Sequence, residues 1–482
     1  MKLSDLVSPE VGLPPGSDAI EIAAIAADSR DVSRGTLFAA LPGSRVNGVS
    51  FISEAIDAGA AAVIAPMHVD VSRYSVPIIR ANDPRRILAL AAARFFGRQP
   101  QLTVAVTGTS GKTSVAEFTR QIFAELGHPA ASLGTIGIIR SDGEHYGSLT
   151  TPDPVTLHRV LARLAEDGLT HLAFEASSHG LDQRRLDGVE LSAAAFTNLG
   201  RDHLDYHSTM DDYLSSKLRL FDTLLPEGAG VVVNADDANA MAIAAIAARR
   251  RLALLRIGRG STADIKLDLS QPEGFGQTIN FWYGGREHSK YLDLIGAYQA
   301  INALTAAGLA LAVGEAPDEV FAALEVLKCV PGRLDVVGQI HGATIVIDYA
   351  HKPDALMSAL EALRPFVSGR LINVFGCGGD RDPGKREIMG QISADHADVT
   401  IVTDDNPRTE DPTVIRRSIL QRAPAAQEIP DRYEAIAAAI SMAAEGDVVL
   451  IAGKGHETGQ IIGSETLSFS DHEAVAAILR EF

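Results

Sequence analysis

The segment 103–127, TVAVTGTSGKTSVAEFTRQIFAELG, contains the residue types that bind phosphate oxygens. Its two loop glycines let backbone N–H groups turn inward, and the first turn of the following helix adds more free N–H groups. Lys112 is then placed on the β and γ phosphates of a nucleotide, and the Thr113 hydroxyl is placed to bind Mg²⁺. Val106 stands where the general P-loop pattern requires glycine, so only the shorter form TGTSGKT is present. The spacing still favours a nucleotide site over an ordinary Gly-rich turn.

Two further candidates for magnesium chemistry follow this loop. The run THLAFE predicts a strand that ends at Glu175, and a carboxylate at that end of a strand beside the phosphate loop can hold Mg²⁺ from a second side. An ordinary strand-end carboxylate is the alternative. Downstream, His203, Asp205 and His207 alternate. Two histidines four residues apart are weak evidence for zinc, so a single histidine beside phosphate and Mg²⁺ is the better interpretation.

Polar side chains also follow four apolar runs in the last third of the chain. The runs are ATIVIDYAH, GRLINVFGCGGDRD, HADVTIVTDDNPR and GDVVLIAGKGHE. In a mostly parallel sheet such strand ends share one edge, where ligands bind. Arg381, Arg386 and Arg408 supply positive charge there, and guanidinium suits carboxylate or phosphate. The tripeptide DSR at 28–30 follows another apolar run, and a capped turn is the alternative to a ligand contact there.

The elements that must position these residues alternate between strand and helix along the chain. This alternation predicts an α/β fold with mostly parallel sheets. A chain of 482 residues is too long for one core and suggests about three domains. The predicted bounds are 1–98, 99–331 and 332–482, with the first boundary at a polar break over 97–101.

Composition narrows the range of partners. The net charge of −18 argues against nucleic acid or an anionic membrane surface, because a phosphate backbone would be repelled. Cys329 and Cys377 cannot form a disulfide framework, which favours a reducing cytoplasm. No secretory signal is visible, and no run approaches the roughly 20 apolar residues that span a bilayer. We therefore expect a cytoplasmic protein without membrane insertion. We also expect a monomer, although composition does not decide the oligomeric state.

Ten short motifs follow one another along the chain. They are TGTSGKTS, TTPDP, EASSHGLDQRR, NLGRDHLDYH, YLSSKLRLF, PGRLD, DYAHKPDAL, GCGGDRDPGKR, DDNPRTEDP and AGKGHETGQ. In this order they resemble the Mur ligase family, the ATP-dependent amino-acid ligases of peptidoglycan precursor synthesis, over essentially the whole chain. The resemblance implies a nucleotide-sugar-binding α/β domain first, a P-loop ATPase-like domain in the centre and a Rossmann-like C-terminal domain.

The resemblance assigns residues to ATP, magnesium and the acceptor. The ATP-binding positions match Gly108, Thr109, Ser110, Gly111, Lys112, Thr113, Ser114, Asn302, Arg333 and Asp348. The Mg²⁺ ligands match Thr113, Glu175, His203 and Lys217, the last as a carbamate that replaces a cation with an oxygen ligand. The UDP-muramoyl dipeptide positions match Ser29, Thr150, Thr151, Ser177, Gln183 and Arg185. The implied catalytic group is Lys112, Glu175, His203, Lys217 and Arg333.

The resemblance also implies a diaminopimelate pocket in the last domain. Its matching residues are Arg381, Asp405, Asn406, Pro407, Arg408, Gly453 and Glu457. Diaminopimelate carries a second carboxylate that lysine lacks, and Arg408 can hold it with paired charge-assisted hydrogen bonds. Lysine would leave that arginine buried and unpaired. Gln299 stands where the family usually has asparagine and Asp335 where glutamate is expected, departures that we expect to affect adenine contacts alone.

The implied reaction joins meso-2,6-diaminopimelate to the D-glutamate side-chain carboxylate of UDP-N-acetylmuramoyl-L-Ala-D-Glu, with ATP as co-substrate and Mg²⁺ as cofactor. Transfer of the γ-phosphoryl group makes an acyl phosphate, which the amine attacks. Because the phosphate loop and the amino-acid pocket lie in different domains, we expect an open free form that closes on its substrates. Three alternatives remain: a ligase of the same architecture that adds L-lysine, one that extends a folate, and a nucleotide-binding scaffold without turnover.

Overall fold

The computed structural model describes residues 1–7, 11–43, 47–142, 145–146, 150–203 and 206–481. Within these residues the chain forms three α/β units, each built on its own sheet, so the predicted fold class is confirmed. A separate two-stranded hairpin lies in the third unit. No helix in this described part of the chain is both long enough and apolar enough to cross a membrane.

The first unit is a four-stranded parallel sheet with three helices. The strands are β1 Ala24–Ala26, β2 Thr36–Ala39, β3 Ala60–Pro66 and β4 Ile78–Ala81, and the helices are α1 Leu3–Leu6, α2 Ile52–Asp57 and α3 Pro84–Phe96. The sheet order follows the chain, β1-β2-β3-β4. Pro84 begins α3, and Gly97 ends it in the left-handed conformation, the usual start and stop signals of a helix.

The second unit contains an eleven-stranded sheet. Its strands are β5 Leu102–Thr107, β6 Ala130–Gly134, β7 Gly137–Arg140, β8 His145–Tyr146, β9 His171–Glu175, β10 Ala193–Phe196, β11 Gly230–Asn234, β12 Ala253–Gly258, β13 Ile265–Glu273, β14 Gly276–Tyr283 and β15 Arg286–Leu292. Its helices are α4 Lys112–Glu125, α5 Pro154–Glu166, α6 Ser178–Asp182, α7 Met210–Arg219, α8 Ala240–Arg250, α9 Ala297–Ala312 and α10 Pro317–Ala323. The order is β15-β14-β13-β12-β11-β10-β5-β9-β6-β7-β8, parallel from β13 to β6 and antiparallel at both edges.

The third unit contains a six-stranded sheet and the hairpin. Its strands are β16 Arg333–Ile340, β17 Ala343–Asp348, β18 Leu371–Phe375, β19 Val399–Val402, β20 Gln427–Glu428, β21 Val448–Ala452, β22 Gly459–Ile462 and β23 Glu465–Ser468. Its helices are α11 Pro353–Leu363, α12 Lys385–His396, α13 Pro412–Leu420, α14 Arg432–Met442 and α15 Asp471–Ile478. The order is β16-β17-β21-β18-β19-β20. The four apolar runs of the sequence thus form the parallel strands β17, β18, β19 and β21 of one sheet, as predicted.

The centre of the second sheet positions the phosphate loop. Successive residues of β5 point to opposite faces, so Val104 and Val106 pack in the core shared with α4 and α9, while Ala105 packs in the core shared with α5. The strand β9 lies directly beside β5, with Glu175 opposite Val106. Both strands end at the same edge, so the side chains that follow them meet there.

Candidate active site

The phosphate loop connects β5 to α4 and depends on two glycines. Gly108 and Gly111 have positive φ values of 145° and 85°. A Cβ atom at position 108 would lie 1.9 Å from Thr197 Oγ1, and one at position 111 would lie 2.6 Å from Asn302 Oδ1. Glycine is therefore required at both positions for the conformation and for the space around it.

The remaining loop residues are held by neighbouring segments. Thr109 Oγ1 lies 3.2 Å from the hydroxyl of Tyr213 on α7. The Ser110 backbone N–H donates to Asn198 Oδ1 at 2.9 Å. Ser114 is buried in the first turn of α4. Contacts with Asn198 and Tyr213 thus hold the predicted ATP loop, and its role in binding ATP stays a prediction.

Two lysine amines meet at one carbonyl oxygen of this loop. Lys112 Nζ donates to Gly108 O at 3.0 Å, and Lys217 Nζ on α7 donates to the same oxygen at 2.8 Å. Burial lowers the pKa of Lys112 to about 8, although the charges of Glu175 and Asp202 oppose this shift. Burial, followed by the charge of Lys112, lowers the pKa of Lys217 well below its ordinary value. Lys217 is only 1% exposed, and this burial disfavours the charged form of its amine.

Glu175 ends β9 and is buried beside the start of the loop. The Thr135 backbone N–H donates to Glu175 Oε1 at 2.7 Å, and the Thr135 hydroxyl donates to Oε2 at 3.2 Å. A carboxylate can accept about four hydrogen bonds, so these two contacts leave room for a cation. The predicted strand end is confirmed, and its role as a Mg²⁺ ligand stays a prediction.

His203 lies at the contact between the second and third units. It has a positive φ of 53°, and its Nε2 lies 3.1 Å from Asp202 Oδ2. Lys352, just before α11, forms an ion pair with the same carboxylate. Burial lowers the pKa of His203 to about 4 despite the opposing charge of Asp202, so its ring is neutral at pH 7. Burial alone would raise the pKa of Asp202, but the charges of Lys352 and His203 lower this pKa to about 2. Asp205 lies outside the described residues.

Arg333 also joins the third unit to the loop. Its Nη2 donates to Thr113 Oγ1 at 3.2 Å. Opposite it in the β16–β17 ladder, Asp348 Oδ2 accepts from the Leu334 N–H at 2.7 Å. Burial raises the pKa of Asp348 to about 6, against the opposing charge of Arg333. Arg333 and Lys352 thus place the third unit in contact with the second, and closure of an open free form on the substrates stays a prediction.

The two departures from the family pattern have different surroundings. Asn302 on α9 donates from Nδ2 to Gln299 Oε1 at 2.8 Å, so Gln299 orients the residue that lies against the loop. Gln299 is 1% exposed, and its Nε2 has no partner among the described residues. Asp335 accepts from the Gly332 N–H and lies 2.9 Å from His472 Nε2. These contacts of Asp335 lie within the third unit. Of the two departures, Gln299 is therefore the one placed to affect adenine contacts.

A cavity of about 940 Å³ lies between the first and second units. Its lining includes the tripeptide 28–30, together with Gln183, Arg185 and Tyr206 of the second unit. Asp28 accepts from the backbone N–H two residues later at 3.0 Å, so the capped turn exists and also faces the cavity. Gln183 Oε1 accepts from Arg185 Nη2 at 2.8 Å. The structure therefore brings together three of the predicted acceptor residues, Ser29, Gln183 and Arg185.

The other predicted acceptor residues, Thr150, Thr151 and Ser177, lead from this cavity towards the end of β9. Arg185 Nη1 donates to the Thr151 carbonyl at 2.6 Å. Thr151 Oγ1 donates to the Glu175 carbonyl at 2.9 Å and accepts from the Ser177 N–H at 3.2 Å. Thr150 Oγ1 lies 3.0 Å from Thr135 Oγ1, the hydroxyl that donates to the Glu175 carboxylate. These contacts link the cavity to the phosphate loop.

The turn after β19 and the loop after β21 form one network in the third unit. Asn406 Nδ2 donates to Glu457 Oε2 at 2.9 Å. Lys454, whose side chain is fully buried, places Nζ 3.2 Å from both Asn406 Oδ1 and Glu457 Oε2. The Ile461 N–H donates to Asn406 Oδ1 at 2.9 Å. Each polar group is thereby held in a fixed direction.

Arg408 borders this network. Its φ is 52°, and its Nη1 donates to the Gly379 carbonyl at 2.7 Å, which fixes the guanidinium. Close packing surrounds it, because a Cβ on Gly379 would lie 2.0 Å from the Pro407 carbonyl oxygen and one on Gly453 would lie 2.7 Å from Asp405 Oδ2. The structure therefore brings the predicted residues from Asp405 to Arg408 together with Gly453 and Glu457.

The other two arginines of this region differ from each other. Arg386 is buried, and its Nη2 lies 2.9 Å from both oxygens of Glu410. It belongs to an internal ion pair, so the prediction that it supplies free positive charge for a ligand is wrong. Arg381 is exposed and lies in the loop between β18 and α12.

Sequence reasoning missed several residues that position the site. Asp202, Lys352 and Lys454 lie inside motifs that were recognised, and their charge beside known site residues was an available signal. Thr135 lies outside those motifs, and Tyr213 begins the motif YLSSKLRLF but carries no charge. Tyr213 places its ring 4.3 Å from Lys217 Nζ, a contact that depends on how α7 packs.

Three α/β units, with a phosphate-type loop in the second that the third unit contacts, fit the class of multidomain nucleotide-binding enzymes. Three family models match this chain: "Mur ligase family, catalytic domain" at residues 21–96, "Mur ligase middle domain" at 106–310 and "Mur ligase, glutamate ligase domain" at 332–455. The chain belongs to the Mur ligase family.

Curated relatives match along the whole chain. A protein of Bradyrhizobium diazoefficiens is 54% identical over 482 residues, 99% of each chain, and one of Brucella melitensis is 53% identical over 99% of this chain and 98% of its own. Both are named UDP-N-acetylmuramoyl-L-alanyl-D-glutamate–2,6-diaminopimelate ligase. A solved structure of that name is 31% identical, with a TM-score of 0.73 over 100% of this chain and 99% of its own. A MurF ligase from Thermotoga maritima in complex with ADP, 20% identical, covers 96% of this chain and 97% of its own with a TM-score of 0.65 and shares the fold.

Proposed function

We propose that this chain joins 2,6-diaminopimelate to UDP-N-acetylmuramoyl-L-alanyl-D-glutamate, with ATP as the energy source. The observation that carries the proposal is the match to relatives of that name at 54% and 53% identity over almost the full length. The site supports it independently, because a nucleotide loop, an acceptor cavity and a charged network lie in three units that contact one another.

The phosphate loop suits transfer of the γ-phosphoryl group from ATP to a carboxylate. Both reactants are anionic, and positive charge that stabilises the transferring group lowers the barrier. Lys112 would bind the β and γ phosphates, and Arg333 would act on them from the third unit. Such an arrangement works only when the two units are in contact, as they are here.

The donor set fits Mg²⁺. Thr113 and Glu175 offer oxygen atoms, which this cation prefers, and neutral His203 adds a nitrogen. When bound, Mg²⁺ would offset the negative charge of the transferring group. Addition of CO₂ to the neutral amine of Lys217, with loss of one proton, would give a carbamate oxygen. That step would also place a negative charge close to Lys112, whose amine donates to the same Gly108 carbonyl as Lys217.

The third unit would bind the amino acid. Arg408 suits the distant carboxylate of diaminopimelate, and Glu457 suits the neighbouring ammonium group, with Asn406 between them. The other amine then attacks the acyl phosphate, which forms the amide bond and releases phosphate and a proton. L-Lysine lacks the distant carboxylate and would leave Arg408 without a partner, so we propose the meso-diaminopimelate activity over the lysine activity.

We also propose that the protein acts as a monomer in the cytoplasm. Both cysteines are free thiols, and burial raises the pKa of Cys377 to about 12, so it is unreactive at pH 7.

The test is phosphate release by the full chain with ATP, Mg²⁺ and UDP-N-acetylmuramoyl-L-Ala-D-Glu. We expect release to require meso-diaminopimelate and to be weak with L-lysine. Equal rates with L-lysine would replace the proposal with the lysine-adding ligase. Absence of amino-acid-dependent phosphate would favour a nucleotide-binding scaffold instead.

A further inference from the structure

Three side chains form a cluster at the opposite end of β9 from Glu175. His128 follows α4, His171 begins β9, and Glu315 lies between α9 and α10. One nitrogen or oxygen from each lies within 4.8 Å of the others. A strand rises about 3.3 Å per residue, so the cluster is roughly 13 Å along β9 from Glu175 and separate from the site described above.

An ion pair and two ring contacts set the relative placement of the three side chains. His128 Nε2 lies 3.0 Å from Glu315 Oε1. The rings of His128 and His171 are stacked with their centres 4.0 Å apart, and the ring of Phe123 on α4 lies 4.8 Å from that of His171. The Phe123 ring is therefore an apolar neighbour of the cluster. Apolar surroundings lower the local dielectric constant, so electrostatic interactions of the cluster are stronger than in water.

His171 has the support that metal-binding histidines usually have. Its Nδ1 lies 2.8 Å from the Thr170 hydroxyl, and the residue is 8% exposed. Histidine ligands typically bind the metal through one ring nitrogen while the other is held by a hydrogen bond that fixes the ring. The Thr170 contact therefore leaves Nε2 of His171 as the ligand atom.

We propose that His128, His171 and Glu315 bind a divalent transition-metal ion, with Zn²⁺ the best match and water as the remaining ligand. Two imidazoles and a carboxylate are a common zinc set, whereas Mg²⁺ prefers oxygen ligands. This site is independent of the proposed ligase function.

Binding of an ion needs an adjustment of the side chains, because the two stacked imidazole rings do not direct their lone pairs to one point. Tetrahedral zinc with bonds of about 2.0–2.1 Å sets its ligand atoms about 3.3 Å apart. The distance between His128 and Glu315 is already 3.0 Å, and the widest separation in the cluster is 4.8 Å. The side chains of His128 and Glu315 are 32% and 19% exposed, so both can move, and χ2 of histidine rotates easily. Rotation of the His128 ring would bring its lone pair to the ion.

A bound ion would connect elements that support the phosphate loop from behind. The loop continues into α4, and α9 carries Asn302, which lies against Gly111. His128 follows α4, and Glu315 follows α9. An ion at the cluster would hold these two helix ends to the start of β9, so it would stabilise the second unit.

The experiment uses the full chain, stripped of metal by a chelator, and Co²⁺ as a spectroscopic probe of the zinc site. We expect one Co²⁺ per chain with the visible absorption of a tetrahedral complex, displacement of Co²⁺ by Zn²⁺, and a Zn²⁺-dependent rise in melting temperature. His171→Gln and Glu315→Gln should each weaken binding by at least about tenfold. His68→Gln, at an exposed histidine outside the cluster, is the matched control.

Two results would overturn the proposal. One is a wild-type chain that binds no Co²⁺. The other is binding that survives both substitutions but disappears in His203→Gln, since that would place the ion at the phosphate site. If His171→Gln fails to fold, Glu315→Gln still decides, because Glu315 is partly exposed and its replacement has nearly the same shape.

Discussion

The phosphate loop and the amino-acid network hold their charges in opposite ways. Three cationic side chains act around the loop against two carboxylates, while burial disfavours the charged form of Lys217; the residues are Lys112, Lys352, Arg333, Glu175 and Asp202. In the third unit, Lys454 lies beside Glu457 and Arg386 beside Glu410, while Arg408 donates to the Gly379 carbonyl. One region has an excess of positive charge before any ligand arrives, and the other is balanced.

The difference indicates two modes of recognition. A chain with a net charge of −18 attracts nucleotide phosphates only through a local excess of positive charge, and burial makes that excess costly to maintain. A balanced network has little net field, so it selects a ligand by the direction of its donors and acceptors. Substitutions at the two sites can separate recognition by excess positive charge from recognition by oriented donors and acceptors.

Loss of one cation at the loop should have the largest effect. Lys112→Met should lower kcat for phosphate release by about 10²–10³-fold, the usual cost of removing one preorganised donor to the transition state. Lys328→Met, at an exposed lysine paired with Asp293, is the control. A Lys112→Met variant within threefold of wild type would break the comparison, because excess positive charge would then be unnecessary.

Loss of a directed donor should affect the amino acid alone. Arg408→Ala should lower kcat/KM for meso-diaminopimelate by about 10–150-fold, since a charged hydrogen bond contributes about 1.5–3 kcal/mol. The low rate with L-lysine should hardly change. Arg417→Ala, at an exposed arginine of α13, controls for loss of charge. Parallel losses for both amino acids would mean that Arg408 supports the fold and not recognition.

Asp348 lies between the two regions and makes the cost of buried charge measurable. Burial raises the pKa of the Asp348 carboxyl from 3.8 to about 6 in the folded chain. The folded chain therefore binds this proton more tightly than the unfolded chain does. The stability that results is fully present below pH 3.8 and is lost as the pH rises through 6. At 1.36 kcal/mol per unit, the penalty at pH 7 is about 3 kcal/mol.

Asp348→Asn should therefore stabilise the third unit at pH 7, and the gain should shrink as the pH falls towards 4. Thermal melting at pH 5 and pH 7 measures the difference, with Asp395→Asn on the surface of α12 as the control. An equal gain at both pH values would show that burial of the charge is not the cause.

The smallest effect is expected at Gln299. Gln299→Ala removes the acceptor of the Asn302 amide, and a neutral hydrogen bond contributes about 0.5–1.5 kcal/mol. KM for ATP should therefore rise by about 2–10-fold with kcat unchanged. Gln391→Ala, at an exposed position of α12, should leave both constants unchanged. A fall in kcat would place Gln299 in the chemical step and not in nucleotide binding.

The parts that depend on local spacing were predictable from the sequence. The phosphate loop and the strand ending at Glu175 follow from the residues of single strand–helix units and from the rule that parallel strands end at one edge. Contacts between distant segments were not. Nothing in the local sequence shows that Arg333 reaches Thr113, or that Glu410 neutralises Arg386.

The same limit applies to the cluster formed by His128, His171 and Glu315. Each member lies in an ordinary connection or at an ordinary strand start, and no short motif joins them. They meet only because β9 lies beside β6 and because α9 packs on the same face of the sheet as α4. The sheet order is thus the missing information.

The cavity of about 940 Å³ has walls from two separately folded units. An inhibitor shaped to fill it must match the mutual orientation of those units as well as the side chains of each. Its affinity would therefore report on that orientation, and a substitution that shifts one unit against the other would weaken it.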